Sequence, residues 1–90
     1  MAAEVPGPDY SLTEHAKTVI EARGIRLDWL ERVLTHPERN EPDRADPDLR
    51  HAIGRIAENG DRHLRVIYNA AVAPWRIVTA YFDRALRSDQ

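Results

Sequence analysis

Apolar residues recur at helical spacing near the start of the chain, first within residues 12–25. The apolar positions of this stretch fall on one face of a helix: Ala16, Val19 and Ile20. Ser11 or Thr13 supplies the N-terminal cap, because S-L-T-E fits the capping-box pattern. Gly24 stands where a left-handed residue ends a helix, and Ile25 can fold back onto the helix. The pattern therefore predicts a first helix that ends at this glycine.

A second helix is predicted over residues 27–36. Its apolar stripe recurs at the same spacing: Leu27, Leu30, Val33 and Leu34. Pro37 ends the helix because its ring does not fit a helix interior. Since only a short turn at Gly24 separates the two helices, we expect a helical hairpin or an L-shaped pair.

The remaining pattern favours β structure. Residues 38–48 are charged, contain two prolines and predict a loop. Three strands are predicted after it, over residues 49–57, 63–71 and 75–82, the last two rich in β-branched and aromatic residues. The pair Asn59-Gly60 predicts a hairpin turn between the first two of them. A further short strand is expected near Asp9 and Tyr10.

These elements predict a single α+β domain, with two N-terminal helices packed on a three- to four-stranded antiparallel sheet. Residues 9–87 are expected to form this domain, and residues 1–8 a flexible tail of small residues and proline. Ninety residues suffice for one modest core and not for two. A sheet covered by helices on one side leaves its other face to solvent or to a partner.

The composition excludes several classes of protein. A hydrophobic content of 42% and a charged content of 31% are typical of a soluble globular domain. No apolar run approaches the ~20 residues that cross a bilayer, and the N-terminus is unlike a signal peptide, so we expect a cytoplasmic protein without a membrane partner. Cysteine is absent, and the histidines and acidic residues lack metal-ligand spacing. Neither a metal nor another cofactor is therefore expected.

Charge is unevenly distributed along a chain of net charge −2. Acidic residues are in excess over residues 1–49, and basic residues, all of them arginine, over residues 50–90. Arginine presents a planar fork that suits phosphates, although GC-rich coding would also enrich this residue. One pairing of the strands places four polar residues on the same open face: Arg55, Arg65, Thr79 and Tyr81. Such a face can hold a phosphodiester.

Several motifs carry a resemblance to a known family: T-E-H-A, E-A-R-G-I, a second helix ending in proline, L-R-V-I-Y and I-V-T-A-Y. They resemble a small bacterial family catalogued only as a domain of unknown function, which is similar to the BrnT and RelE toxins of toxin–antitoxin modules. The resemblance covers residues 10–82, and its most specific part is H-A followed by R-G-I. It implies a RelE-like α+β fold, cleavage of RNA without a metal, and neutralisation by an antitoxin. The slightly acidic net charge departs from such toxins, which are usually basic.

Metal-free RNA cleavage needs a base for the 2′-OH proton, an acid for the leaving oxygen and a cation for the phosphorane. We predict His15 as the base, because the first turn of a helix attracts a phosphate and its dipole disfavours a protonated histidine. Arg65 and Tyr81 complete the predicted catalytic set. The predicted substrate-binding residues are arginines and a hydroxyl: Arg55, Arg23 and Thr79.

Structural interpretations of the same residues remain open. His15 can pack between helix and sheet, Arg23 can bond carbonyls near the helix end or pair with an acid, and Tyr81 can belong to the core. For the whole protein, the alternative is a non-catalytic RelE-like interaction module or a degenerate toxin. In that case Trp29 and Trp75 would anchor a protein partner or a second copy of the chain.

Overall fold

A computed structural model describes residues 9–85 of the chain. It contains one five-stranded mixed sheet with two helices on one of its faces. In chain order the elements are β1 (Tyr10–Leu12), α1 (Glu14–Ala22), α2 (Leu27–Thr35), β2 (Arg39–Pro42), β3 (Leu49–Ile56), β4 (Arg62–Asn69) and β5 (Trp75–Phe82). The predicted tail over residues 1–8, and residues 86 and 87 of the predicted domain, lie outside the described residues.

The predicted fold class is wrong in the size and type of the sheet and in the place of the helices. The sheet has five strands in the order β1-β5-β4-β3-β2, and it is mixed because β1 pairs with β5 in parallel. The helices are not N-terminal, since β1 precedes them and they connect it to the opposite edge strand. The predicted loop over residues 38–48 contains that edge strand, β2. Both edge strands are too short to show alternation, and their partners decide their conformation.

The beginning of α1 settles which residue caps the helix. The side chain of Thr13 accepts a hydrogen bond from the Ala16 N–H at 3.0 Å. Ser11 instead lies in β1, where it pairs with Arg76 of β5. The cap is therefore one of the two predicted candidates, and the capping box that would start at Ser11 does not form.

Both helices end where the sequence predicts. Gly24 adopts a φ of 66°, and the Ile25 N–H donates to the Ile20 carbonyl at 3.0 Å, as in a Schellman motif. Ile25 is buried beneath the turn. The second helix ends at Thr35, two residues before Pro37. The glycine turn thus fixes the angle at which α2 leaves α1.

Strand register determines which residues face the helices. On β4, Leu64, Val66 and Tyr68 are buried on the helix side, whereas Arg65 and Ile67 lie on the other face. Residues from both helices and from β3, β4 and β5 form the core on the helix side: Ala16, Ile20, Ile25, Leu30, Val33, Leu34, Ala52, Ile56, Leu64, Val66, Tyr68, Ile77 and Ala80. None of the helices in residues 9–85 is long and apolar enough to cross a membrane.

A β-bulge at Val78 changes the alternation along β5. Thr79 pairs with Ile67 and Ile77 pairs with the next residue of β4, Tyr68, so Val78 has no partner. Strict alternation along β5 would place Val78 on the same face as Ala80, and Ile77 on the same face as Thr79. With the extra residue inserted, both halves of β5 keep their apolar side chains towards the helices.

Candidate functional site

The open face is the side of the sheet that the helices leave uncovered. Register places Arg65 directly opposite Tyr81, and Ile67 opposite Thr79. On the neighbouring strand Arg55 pairs with His63, which shares the face of Arg65. The predicted shared face for these two arginines, the threonine and the tyrosine is therefore confirmed, although their predicted roles stay predictions.

Four polar side chains on the open face form one hydrogen-bonded chain, which we call the open-face cluster: Asp43, His51, Arg65 and Asp83. The Oδ1 of Asp43 lies 2.7 Å from the Nε2 of His51. The Nδ1 of His51 lies 2.7 Å from a terminal nitrogen of Arg65. The Nε of Arg65 donates to the Oδ2 of Asp83 at 2.8 Å. The cluster thus has a carboxylate at each end, Asp43 and Asp83, with His51 of β3 and Arg65 of β4 between them.

The open-face cluster is largely shielded from solvent. The exposed fractions of the side chains are 16% for His51, 24% for Asp43, 15% for Arg65 and 14% for Asp83. Ile53, which lies between Arg39 and Arg65 in register, is fully buried on this face. Its burial outside the helix-side core means that the surrounding polar side chains cover it. Hydrogen bonds in such a partly dry environment are stronger than they are in water.

The available partners assign the hydrogen-bonding roles of the two ring nitrogens of His51. A guanidinium group only donates hydrogen bonds, so the Nδ1 of His51 accepts the one from Arg65. The Nε2 nitrogen then donates to the carboxylate of Asp43. That hydrogen bond is the main reason why the pKa of Asp43 is lowered, with further contributions from the backbone N–H groups of Asp46 and Ala45. The lone pair of the Nδ1 nitrogen of His51 thus faces Arg65 in this arrangement.

The segment after β2 positions Asp43. The backbone N–H of Asp43 donates to the Leu49 carbonyl, and its Oδ2 accepts from the N–H groups of Ala45 and Asp46 at 3.0 Å each. These bonds form a turn that returns the carboxylate to the first half of β3, where His51 lies. Sequence reasoning missed both residues as site candidates. The available signal was that His51 alternates with Arg55 on the predicted strand.

The backbone N–H of Asp83 and one of its carboxylate oxygens hold this residue in place at the end of β5. Its N–H donates to the His63 carbonyl at 2.8 Å, and its Oδ1 accepts from the Ala85 N–H at 2.9 Å. The remaining oxygen, Oδ2, faces Arg65. This carboxylate is therefore oriented before any ligand arrives.

A second histidine, His63, lies on the open face beyond Arg65. Its side chain is 13% exposed, and its Nε2 lies 3.7 Å from the Oε1 of Glu38. Its Nδ1 is buried and has no hydrogen-bond partner within residues 9–85. The open face thus carries two shielded histidines, of which only His51 contacts Arg65.

The structure does not bring His15 or Arg23 to the open-face cluster. His15 is exposed in the first turn of α1, which packs on the helix side of the sheet. Arg23 donates to the Ala80 carbonyl of β5 at 2.8 Å, and the Thr13 hydroxyl donates to the Val78 carbonyl at 3.4 Å. Beyond its short pairing with β1, the outer edge of β5 is therefore satisfied by side chains of α1, which gives Arg23 a structural contact.

The cluster offers the chemistry of acid–base catalysis on an anion. It combines an imidazole nitrogen and a guanidinium. Tyr81, whose side chain carries a hydroxyl, pairs with Arg65 in the register of the sheet. Within the described range 9–85, no group of three or more histidines and acids could hold a metal ion. The groups present suit proton transfer and the binding of a negative charge.

Comparison with known proteins identifies one family. Residues 12–82 match a family described as "Domain of unknown function (DUF4258)". No curated protein and no solved structure matches the chain. The match covers both helices and extends through the strands that carry His51 and Arg65.

Proposed function

The chain belongs to the DUF4258 family, and we propose that it is a metal-independent endoribonuclease of a toxin–antitoxin module, acting at the open-face cluster. The observation that carries the proposal is the imidazole of His51 held between Asp43 and Arg65 by two contacts of 2.7 Å. The resemblance of the sequence motifs to those of BrnT and RelE toxins supports RNA as the substrate, an antitoxin as the partner and the cytoplasm as the site of action. Arg55 and Thr79 would extend the substrate-binding surface.

Binding of RNA would begin at Arg65. A phosphodiester attracts the guanidinium more strongly than the ring of His51 does, because the ligand carries a full charge. As the guanidinium turns to the phosphate, the Nδ1 of His51 loses its donor and becomes a free base. Asp43 keeps hold of Nε2–H and so maintains the orientation of the ring, as a carboxylate does for a histidine base.

Cleavage would then follow by attack within the RNA strand. The Nδ1 of His51 takes the proton of the 2′-OH, and the 2′ oxygen forms a bond to phosphorus. Arg65 stabilises the charge of the phosphorane. The bond from phosphorus to the 5′ oxygen breaks, and the Tyr81 hydroxyl protonates that oxygen. The products are a 2′,3′-cyclic phosphate and a 5′-OH, and solvent returns the proton from His51 to Tyr81.

A non-catalytic interaction module is the second candidate. It is favoured because the side chains of the open-face cluster already bind one another. Arg65 and His51 each already have a carboxylate neighbour, and such a network stabilises one arrangement without any chemistry. The proposed tryptophan anchors give this candidate less support. Trp29 packs edge-on against Phe82, and Trp75 lies 4.7 Å from the Tyr68 ring, so both pack against the helix-side core.

The proposed function is tested by inducing the chain in a bacterial host and following growth and total RNA. The native chain should arrest growth and fragment RNA, whereas His51→Gln and Arg65→Met should do neither. Glutamine keeps a hydrogen-bonding amide but cannot take a proton. His36→Ala, which changes an exposed histidine at the end of α2, is the matched control and should arrest growth like the native chain. Harmless expression of folded native protein would refute the proposal and leave the interaction module.

The same assay decides between the two histidines. On the structure, His15→Ala should leave growth arrest intact, because its side chain is exposed on the helix layer. Loss of arrest in His15→Ala, at equal expression and equal thermal stability, would return the catalytic base to the position predicted from the sequence.

A further inference from the structure

We infer that Asp83 is a built-in competitor for the phosphate, occupying Arg65 until an anionic strand displaces it. The inference rests on the proposed function only for the identity of the ligand, a phosphodiester of single-stranded nucleic acid. It goes further because it assigns a regulatory role to a residue that the proposed reaction does not use.

The contact with Asp83 blocks the side edge of the Arg65 guanidinium against a phosphate. A guanidinium can bind a phosphate oxygen pair through its side edge, Nε with Nη2, or through its end, Nη1 with Nη2. Asp83 occupies Nε at 2.8 Å, and His51 occupies Nη1 at 2.7 Å. Since Nε has a single N–H, Asp83 takes up one of the two donors of the side edge. A phosphate can therefore bind both donors of that edge only by displacing Asp83.

Asp83 is the stronger of the two obstacles. It offers Arg65 a carboxylate, whereas His51 offers only the lone pair of a ring nitrogen. Its contact with Arg65 is also the more shielded from solvent of the cluster's two carboxylate contacts. Its backbone is fixed by the His63 carbonyl and its Oδ1 by the Ala85 N–H. An oriented carboxylate competes well because the entropy of its placement is lost on folding and not again on binding. Asp83 therefore keeps Arg65 closed to the phosphate in most molecules. The apparent affinity for the phosphate is lower than the intrinsic affinity, because only the fraction of molecules in the open state can bind.

The test measures binding of a fluorescently labelled single-stranded oligodeoxynucleotide, which has no 2′-OH and is not cleaved. Asp83→Asn keeps an oxygen acceptor for Arg65 and removes the charge, and it should bind the probe about tenfold more tightly than the native chain. Asp28→Asn is the matched control, because it removes the same charge from an exposed residue of α2 whose carboxylate accepts a hydrogen bond from the Nε of Arg26 at 2.9 Å. Both Asp28 and Arg26 lie away from the open face. We expect it to change the affinity by less than about twofold.

A double variant shows whether the gain passes through Arg65. In an Arg65→Met background, Asp83→Asn should no longer raise the affinity. Equal affinities for Asp83→Asn and Asp28→Asn, or weaker binding by Asp83→Asn, would overturn the inference. Asp83→Ser guards against a folding defect of one variant, since it must show the same gain when its thermal melt shows a folded protein.

The outcomes separate this inference from the proposed function. Tighter binding by Asp83→Asn without cleavage of RNA by the native chain would refute the ribonuclease and retain the competitor. Cleavage of RNA by the native chain, with no gain in affinity in Asp83→Asn, would support the ribonuclease and refute the role of Asp83 as a competitor.

Discussion

Gly54 lies in β3 where α2 packs directly on the sheet, and this close approach predicts the effect of adding a single methyl group. A Cβ at Gly54 would lie 3.1 Å from the Cγ2 of Val33, and 3.7 Å from its Cβ and Cγ1. Val33 is only 2% exposed, and it is surrounded by other core residues. Gly54→Ala therefore has to push Val33, and with it α2, outwards by a few tenths of an ångström.

The size of the effect follows from two opposing contributions. Inserting a methyl group into a packed core costs about 1–3 kcal/mol. Replacing glycine by alanine also restricts the unfolded chain, which returns about 0.4–1 kcal/mol. The free energy of unfolding should therefore fall by about 1 kcal/mol. For a domain of this size that corresponds to a decrease in Tm of roughly 4–8 °C.

Urea denaturation of a double-mutant cycle tests this reasoning. Val33→Ala removes the two methyl groups that crowd Gly54, and alone it should cost about 2 kcal/mol through the lost burial and the cavity. The double variant should be more stable than the sum of the single changes predicts, by about 1 kcal/mol. A Gly54→Ala protein as stable as the native chain, or strictly additive changes, would refute the close packing of α2 against β3.

Three further predictions concern caps and titrating groups. Thr13→Ala should lower the free energy of unfolding by about 1 kcal/mol in urea denaturation, and Thr13→Ser should restore most of it. Burial, and then the hydrogen bond to Glu31, raise the pKa of Tyr10 to about 12. Because the pKa of Tyr10 in the folded protein exceeds its ordinary value of 10.0, the neutral side chain stabilises the fold fully below pH 10.0, and this stabilisation is lost as the pH rises through 12. Tyr10→Phe should therefore remove this alkaline dependence of Tm. Hydrogen bonds from Arg32 lower the pKa of Glu58 to about 2, so its contribution is present above pH 4.5 and is lost as the pH falls to 2; Glu58→Gln should flatten the acid limb of the Tm profile.

The helices were predictable because their signals are local. Thr13 and Gly24 lie within one turn of the helix they begin or end, and the apolar spacing between them has a single period. The short edge strand β1 was also predicted near Asp9 and Tyr10, whereas the other edge strand, β2, was not. Arg39 and its neighbours in β2 have polar side chains and a proline, and they become a strand only because β3 offers a partner. The bulge at Val78 has no sequence signal of its own.

Of the open-face cluster, only Arg65 was predicted as a site residue. Alternation along β4 and β5, together with one of the possible pairings of these strands, places Arg65 and Tyr81 on one face. The contact of Asp43 with His51 depends on how a turn of charged residues folds back, and no periodic pattern reports that. His15 was correctly placed in the first turn of a helix, but the layer against which that turn packs is a tertiary property.

Cleavage of RNA by the purified chain is the most direct test of the open-face cluster as a ribonuclease site. RNA is incubated with the native protein and with His51→Gln, in the presence of a metal chelator and both with and without ribosomes. The native protein should produce fragments ending in a 2′,3′-cyclic phosphate, and the variant should be slower by about 10²- to 10⁴-fold. No cleavage by folded native protein under either condition, or an equal rate for His51→Gln, would contradict the account.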